Sequence, residues 1–107
     1  GNDIIRGGKG DDVIDGGDGD DWISGDRGDD TLTGGRGADT FHSSAGAGLD
    51  LVTDFNAGEG DRIELDNGTP FTVSQEGADT VIHMQGTRLV LKNVKAASLP
   101  RGAIYYK

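Results

Sequence analysis

Large apolar residues recur nine apart at Ile5, Ile14, Ile23, Leu32 and Phe41, and glycine-rich polar stretches separate them. Read in that register, a truncated opening unit (1–6) is followed by GGKGDDVID (7–15), GGDGDDWIS (16–24), GDRGDDTLT (25–33) and GGRGADTFH (34–42). The fourth position is always glycine (Gly1, Gly10, Gly19, Gly28, Gly37), and the sixth is always aspartate (Asp3, Asp12, Asp21, Asp30, Asp39). The apolar residue is the eighth. A triplet centred on one apolar residue suits a short strand, because side chains alternate faces along a strand. The six residues between triplets suit a tight turn in which glycine tolerates positive φ. Eighth positions are therefore expected to face inward. The seventh positions Ile4, Val13, Trp22, Thr31 and Thr40 are expected to face out.

After His42 the pattern lengthens. Residues 43–48 read as a connection of small residues, 49–55 as a strand, 56–61 as a turn and 62–65 as another short strand. Three alternating runs at 71–74, 80–84 and 88–92, joined by turns at 75–79 and 85–86, predict an antiparallel meander. A helical turn over 94–99 and a last strand over 103–106 complete the reading. The expected organisation is 1–42 as repeat and 43–107 as a flanking cap in the same folding unit.

Charge sharpens this picture. The chain carries a net −9, and residues 1–40 hold 11 aspartates against Arg6, Lys9, Arg27 and Arg36, a local −7. The same stretch holds 12 of the 20 glycines. So many like charges on so little apolar surface would leave a segment disordered, so the repeat is expected to need a counter-ion. Nucleic acid is excluded as a partner because its phosphates would be repelled. No apolar run reaches membrane-spanning length, no cysteine is available for disulfides, and no signal peptide opens the chain. The first residue falls in mid-repeat, so the natural chain is expected to extend upstream.

The repeat matches the G-G-x-G-x-D-x-U-x nonapeptide of calcium-binding parallel β-helices. It resembles the RTX (repeats-in-toxin) family, also described as hemolysin-type calcium-binding repeats. The fold class implied is all-β: a calcium-filled parallel β-roll followed by a short antiparallel β cap. Two units make one coil, so residues 18 apart stack. Ile5, Ile23 and Phe41 then form one inward column, and Ile14 and Leu32 form the facing one. Ile4 stacks beside Trp22 outside, a patch that would suit contact with an upstream domain of the parent protein or another copy.

By the same resemblance, several Ca²⁺ ions lie between coils. They are held by the carboxylates of Asp3, Asp12, Asp21, Asp30 and Asp39 and by carbonyls of Gly8, Gly10, Gly17, Gly19, Asp26, Gly28, Gly35 and Gly37. A hard cation fits this donor set, since calcium takes oxygen ligands in forgiving geometry and no turn holds the histidine or cysteine that zinc prefers. Asp26 departs from the pattern, standing where the second glycine belongs. Asp11, Asp20 and Asp29, at the fifth position, read as solvated charge. A solvated acidic linker would explain the composition but not the fixed apolar spacing.

The segment Asp50…Asp54-Phe55…Gly60-Asp61-Arg62-Ile63-Glu64-Leu65 resembles the one that follows the repeats in serralysin-type metalloproteases and related secreted proteins. There the first of these aspartates can close the last calcium site, which implies Asp50 here. Asp54 and Asp61 could be ligands or could cap turns. Ser44 stands in an x-S-x-G context, but the strand–elbow–helix setting of a hydrolase is missing. His42 and His83 have no partner at metal spacing, and no H-E-x-x-H occurs. No catalytic machinery is expected.

The function implied is a calcium-binding, non-catalytic piece of a larger secreted bacterial protein, extracellular or at the cell surface. It would fold on extracellular calcium and pass unfolded through a type I secretion apparatus, with the C-terminal segment as cap and secretion signal. The alternative is a carbohydrate- or surface-binding module of a polysaccharide-modifying enzyme or adhesin. An exposed aromatic strip or a basic groove would favour glycan as a partner.

Overall fold

The computed structural model describes residues 3–25, 28–43, 48–66, 68, 70–100 and 102–106. Each repeat yields one short strand: β1 (Ile4–Arg6), β2 (Val13–Asp15), β3 (Trp22–Ser24), β4 (Thr31–Thr33) and β5 (Thr40–Ser43). Strands of alternate units lie side by side in parallel. β1, β3 and β5 align Ile5, Ile23 and Phe41, while β2 and β4 align Ile14 and Leu32. The expected stacking interval of one coil is observed, and the side chains of Ile23, Leu32 and Phe41 are fully buried.

The coil continues past the repeat. β6 (Gly48–Val52) adds to β4 with Val52 opposite Leu32, and β7 (Arg62–Leu65) adds to β5 with Ile63 opposite Phe41. Between them the chain bends through a 3-10 turn at Ala57–Glu59, where Asn56 caps by accepting the Gly58 amide. Phe55 folds back beneath this turn against Phe41, with ring centroids 6.2 Å apart. Residues 44–47 of the expected connection, including Ser44, lie outside the described residues.

β8 (Phe71–Glu76), β9 (Asp79–Met84) and β10 (Thr87–Leu91) form the expected antiparallel meander. Its far strand also pairs in parallel with β6. The meander therefore prolongs one sheet of the roll. The inward residues of β10, Leu89 and Leu91, join the same core as Leu32 and Val52. β11 (Ile104–Tyr106) adds in parallel to β7. The result is a five-stranded sheet ordered β1-β3-β5-β7-β11 facing a six-stranded sheet ordered β2-β4-β6-β10-β9-β8. The inner strand β9 is covered on both faces: Ile82 and Met84 are in the core, with the Thr80 hydroxyl on that same face donating to the Val94 carbonyl at 2.7 Å, and Val81 on the opposite face is buried too.

Outside the five-stranded sheet, Ile4 stands beside Trp22, and on the other sheet Val13 stands beside Thr31, as expected. Ile4 and Val13 are 78% and 84% exposed. Trp22 is not left as an apolar plate. Arg6 sits 5.2 Å from its ring centroid and His42 stacks at 5.1 Å. Its indole nitrogen donates to Glu64 Oε1 at 3.3 Å, and Tyr105 donates to the other oxygen of Glu64 at 2.9 Å. Trp22 thus touches the coils before and after its own, which makes this single tryptophan a reporter of coil stacking.

Candidate metal centre

The turns carry the chemistry. From Asp21 on, each sixth-position carboxylate uses Oδ1 to accept the amide of its counterpart one coil earlier: Asp3 N to Asp21 at 2.9 Å, Asp12 N to Asp30 at 2.8 Å and Asp21 N to Asp39 at 2.9 Å. The structure continues both columns beyond the repeat. Asp30 N donates to Asp50 Oδ1 at 3.2 Å, and Asp39 N donates to Asp61 Oδ1 at 2.8 Å. The two edges of the roll are therefore lined by Asp3–Asp21–Asp39–Asp61 and by Asp12–Asp30–Asp50.

The second oxygens are the decisive feature. Among the described residues, Oδ2 of Asp12, Asp21, Asp30 and Asp39 is buried without any hydrogen-bond partner. A buried carboxylate oxygen left unpaired is strongly destabilising. Each orphan points at the first-position glycine of its own loop. A Cβ on Gly16 would lie 2.7 Å from Asp21 Oδ2 and 2.9 Å from the Gly34 carbonyl oxygen; on Gly7 it would meet Asp12 Oδ2 and the Gly25 carbonyl at the same distances. Gly25 and Gly34 cradle Asp30 and Asp39 in the same way. This glycine is needed for space and not for its dihedral angles. Positive φ is confined to later glycines of the loop, as at Gly35 (81°) and Gly37 (109°).

Carbonyls line the same turns. The oxygens of Gly10, Gly17, Gly19 and Gly28 pack against Gly28, Gly35, Gly37 and Gly48 one coil on. Among the described residues, no three acidic, histidine or cysteine side chains converge on one point. Side chains alone therefore do not complete a site, and carbonyls must supply the balance. Anionic and carbonyl oxygens with no nitrogen or sulfur donor are what calcium takes, about six to eight at a time. The residues present fit that ion. Gly8 and Gly10 lie at the open N-terminal end, where nothing would meet their added Cβ. Asp26 lies outside the described residues.

The electrostatics match. Burial pushes the Asp39 carboxyl up to about 7, with the charges of Asp61, Asp21 and Asp54 adding to the rise and the Asp21 amide opposing it. Burial likewise raises Asp50 to about 7, helped by Asp30 and Asp29 and opposed by the Asp30 amide. Asp30 and Asp61 are raised too, again mainly by burial. A carboxyl whose folded pKa exceeds its ordinary 3.8 stabilises the ion-free fold fully below about 3.8, and that contribution is lost as pH rises through about 7. In calcium-stripped buffer the thermal midpoint should therefore be higher at pH 5 than at pH 8. With calcium present the sign reverses, since ion and proton compete for the same oxygens, and half-saturation should need more calcium at pH 5. An ion-free midpoint that rises from pH 5 to pH 8 would contradict the burial of these carboxyls.

Asp54 and Asp61 resolve differently from the repeat aspartates. Asp61 has both oxygens engaged, Oδ1 by Asp39 N and Oδ2 by Asn56 N at 2.9 Å. Asp54 accepts the amides of Gly34 and Gly35 at 2.9 and 2.8 Å. Both cap turns as the sequence allowed, but Asp54 caps the turn one coil before its own. The fifth-position aspartates Asp11, Asp20 and Asp29 are exposed, as expected. They also accept main-chain amides, a role that sequence reading missed.

Two polar strings outside the turns have the residue types of hydrolases. Ser24 Oγ lies 3.3 Å from His42 Nδ1, whose Nε2 meets Asp66 at 2.8 Å. Ser24 is only 1% exposed, so no substrate reaches its hydroxyl. Ser74 and Glu76 both approach Nε2 of His83, at 3.0 and 2.9 Å. Acid and hydroxyl thus share one ring nitrogen, whereas a catalytic triad places them on opposite nitrogens.

Residues 1–32 and 15–49 match the family model of the RTX calcium-binding nonapeptide repeat, in 4 copies. That family binds calcium, and its proteins are typically secreted. Comparison with curated proteins found no match. Among solved structures, the extracellular lipase LipA from Serratia marcescens superposes with a TM-score of 0.68 at 23% identity, over 89% of this chain, a likeness of fold alone. The chain spans 19% of that lipase. The AlgE6R3 subunit of the Azotobacter vinelandii mannuronan C5-epimerase superposes with a TM-score of 0.60 at 26% identity, over 96% of this chain and 77% of the subunit. No helix among the described residues is long and apolar enough to cross a membrane.

Proposed function

We propose that this chain, a carrier of RTX calcium-binding nonapeptide repeats, is the ion-dependent folding element of a larger secreted protein. The observation that carries the reading is the set of four buried, partnerless oxygens on Asp12, Asp21, Asp30 and Asp39. Calcium supplies the missing charge there. Asp3, Asp12, Asp21, Asp30, Asp39 and Asp50 are the carboxylate ligands, and carbonyls of Gly8, Gly10, Gly17, Gly19, Asp26, Gly28, Gly35 and Gly37 are the neutral ones. Sites of the extracellular class have dissociation constants of about 10⁻⁴–10⁻³ M and stay empty at cytosolic calcium. The chain would then remain threadable through a type I secretion apparatus, and binding would become folding energy outside the cell. The region beyond the repeats acts as the structural end of the roll and the secretion signal. The chain is not itself the catalyst of its parent.

The test is calorimetric titration with calcium, with magnesium as the comparator. Calcium should bind and induce folding, and magnesium should do neither at equal concentration. Magnesium demands near-octahedral geometry and gives up water reluctantly. Equal responses to the two ions would reduce the role of calcium to charge screening. Likeness to the epimerase subunit raises a glycan-binding reading, but the face around Trp22 does not favour it. Arg6 and His42 already cover that ring, so Trp22 offers no open face to a sugar.

A further inference from the structure

The fifth-position aspartates look like surplus charge, yet their contacts repeat from coil to coil. Asp11 Oδ1 accepts the amide of Asp29 at 2.8 Å, Asp20 Oδ1 that of Ala38 at 2.8 Å, and Asp29 Oδ1 that of Leu49 at 2.9 Å. The sixth-position bonds run the other way, from an amide to the carboxylate one coil later. Each junction is thus closed by a reciprocal pair. Asp12 N donates forward to Asp30 while Asp29 N donates back to Asp11. Asp21 N donates forward to Asp39 while Ala38 N donates back to Asp20. Asp30 N donates forward to Asp50 while Leu49 N donates back to Asp29.

The backward bond has a consequence for the carbonyls. In a planar trans peptide the N–H and the preceding C=O point in opposite directions. Holding the Asp29 amide back toward Asp11 therefore aims the Gly28 carbonyl forward. That is where it lies, since a Cβ on Gly48 would be 2.7 Å from the Gly28 oxygen and 3.0 Å from Asp29 Oδ1. By the same geometry Asp20 governs the Gly37 carbonyl, and Asp29 governs that of Gly48. Where Ala38 occupies the fifth position the clamp is absent, and the Gly60 amide turns to the Ala57 carbonyl at 3.0 Å instead.

We propose that Asp11, Asp20 and Asp29 are positioning residues of the calcium array: each holds the next coil's amide and so fixes the direction of the fourth-position carbonyl before it. This rests on the reading of those carbonyls as calcium ligands. The carboxylates themselves stay outside the coordination shell. What matters in them is an acceptor oxygen at the right place, so asparagine should replace them and alanine should not.

The experiment compares Asp20→Ala with Asp20→Asn in the full chain. Calcium half-saturation is read from Trp22 fluorescence, and hydrogen exchange at the Ala38 amide is measured at saturating calcium. Asp20→Ala should raise the half-saturation about tenfold, the scale of one lost charge-assisted hydrogen bond, and should strip protection from Ala38. Asp20→Asn should stay within about twofold of the wild type and keep that protection. An alanine variant that fails to fold at any calcium level, beside an asparagine variant that folds, supports the clamp equally. Equal losses in both variants would make charge the active ingredient and overturn the proposal, as would no loss in either. Wild-type protein that takes up no calcium would instead sink the calcium reading. Protection at Ala38 would still judge the clamp.

Discussion

Stripped of calcium at neutral pH, the chain should lose most of its β structure, and the Trp22 emission should shift to that of a solvated indole. Returning calcium should restore both in one cooperative step. The core of the repeat is one residue deep per unit, with Ile14, Ile23, Leu32 and Phe41 as its inward members. Against it stand four buried carboxylate oxygens with no partner. An uncompensated buried charge costs about 3–5 kcal/mol, while a whole domain is stable by only about 5–15 kcal/mol. Four such groups ionised together outweigh what so shallow a core supplies. Protonation relieves part of the penalty, which is why the effect belongs to neutral pH, at or above the raised values of Asp39 and Asp50. Circular dichroism and fluorescence with and without chelator measure it. A chelated chain that melts cooperatively at the same midpoint as the calcium-loaded one would end the idea of an ion-dependent fold.

How far the sequence reaches depends on constant spacing. While every loop has six residues, the register of one strand predicts all the others, and Ile5, Ile23 and Phe41 could be stacked in advance. Past His42 the loops lengthen, and the columns no longer recur at 18: Asp50 lies 20 residues after Asp30, and Asp61 lies 22 after Asp39. Asp61 therefore holds the same place in its column as Asp39 without any periodic signal to say so. The 3-10 turn at Ala57–Glu59 lies within the second of these lengthened intervals. Alternation likewise identifies β8, β9 and β10 as strands but is silent about their partners. The parallel pairing of β10 with β6 follows from burial of Leu89 and Leu91 against the roll, which is a tertiary fact. The two aspartates of each Asp-Asp pair are chemically identical in sequence. Only the coil separates them, burying one and turning the other toward the neighbouring loop.

That separation sets the largest single-residue effects expected. Asp21→Ala and Asp30→Ala should each weaken calcium binding by about a hundredfold, well beyond Asp20→Ala or Asp29→Ala, because calcium affinity follows the count of charged ligands. Asp21 supplies a buried partnerless oxygen, and its other oxygen accepts the Asp3 amide. Asp30 does the same for Asp12. Alanine at either position removes ion ligand and coil tie together. It also leaves the amide of Asp3 or Asp12 without its acceptor. At Asp20 or Asp29 only the tie is lost, and the displaced amide sits at the exposed rim of the turn where water can replace the carboxylate. All four substitutions remove one negative charge, so a mechanism based on bulk charge predicts four equal losses. Calorimetric titration of the four variants distinguishes the cases, and equal dissociation constants across them would mean that no coordination by the sixth-position carboxylates takes place.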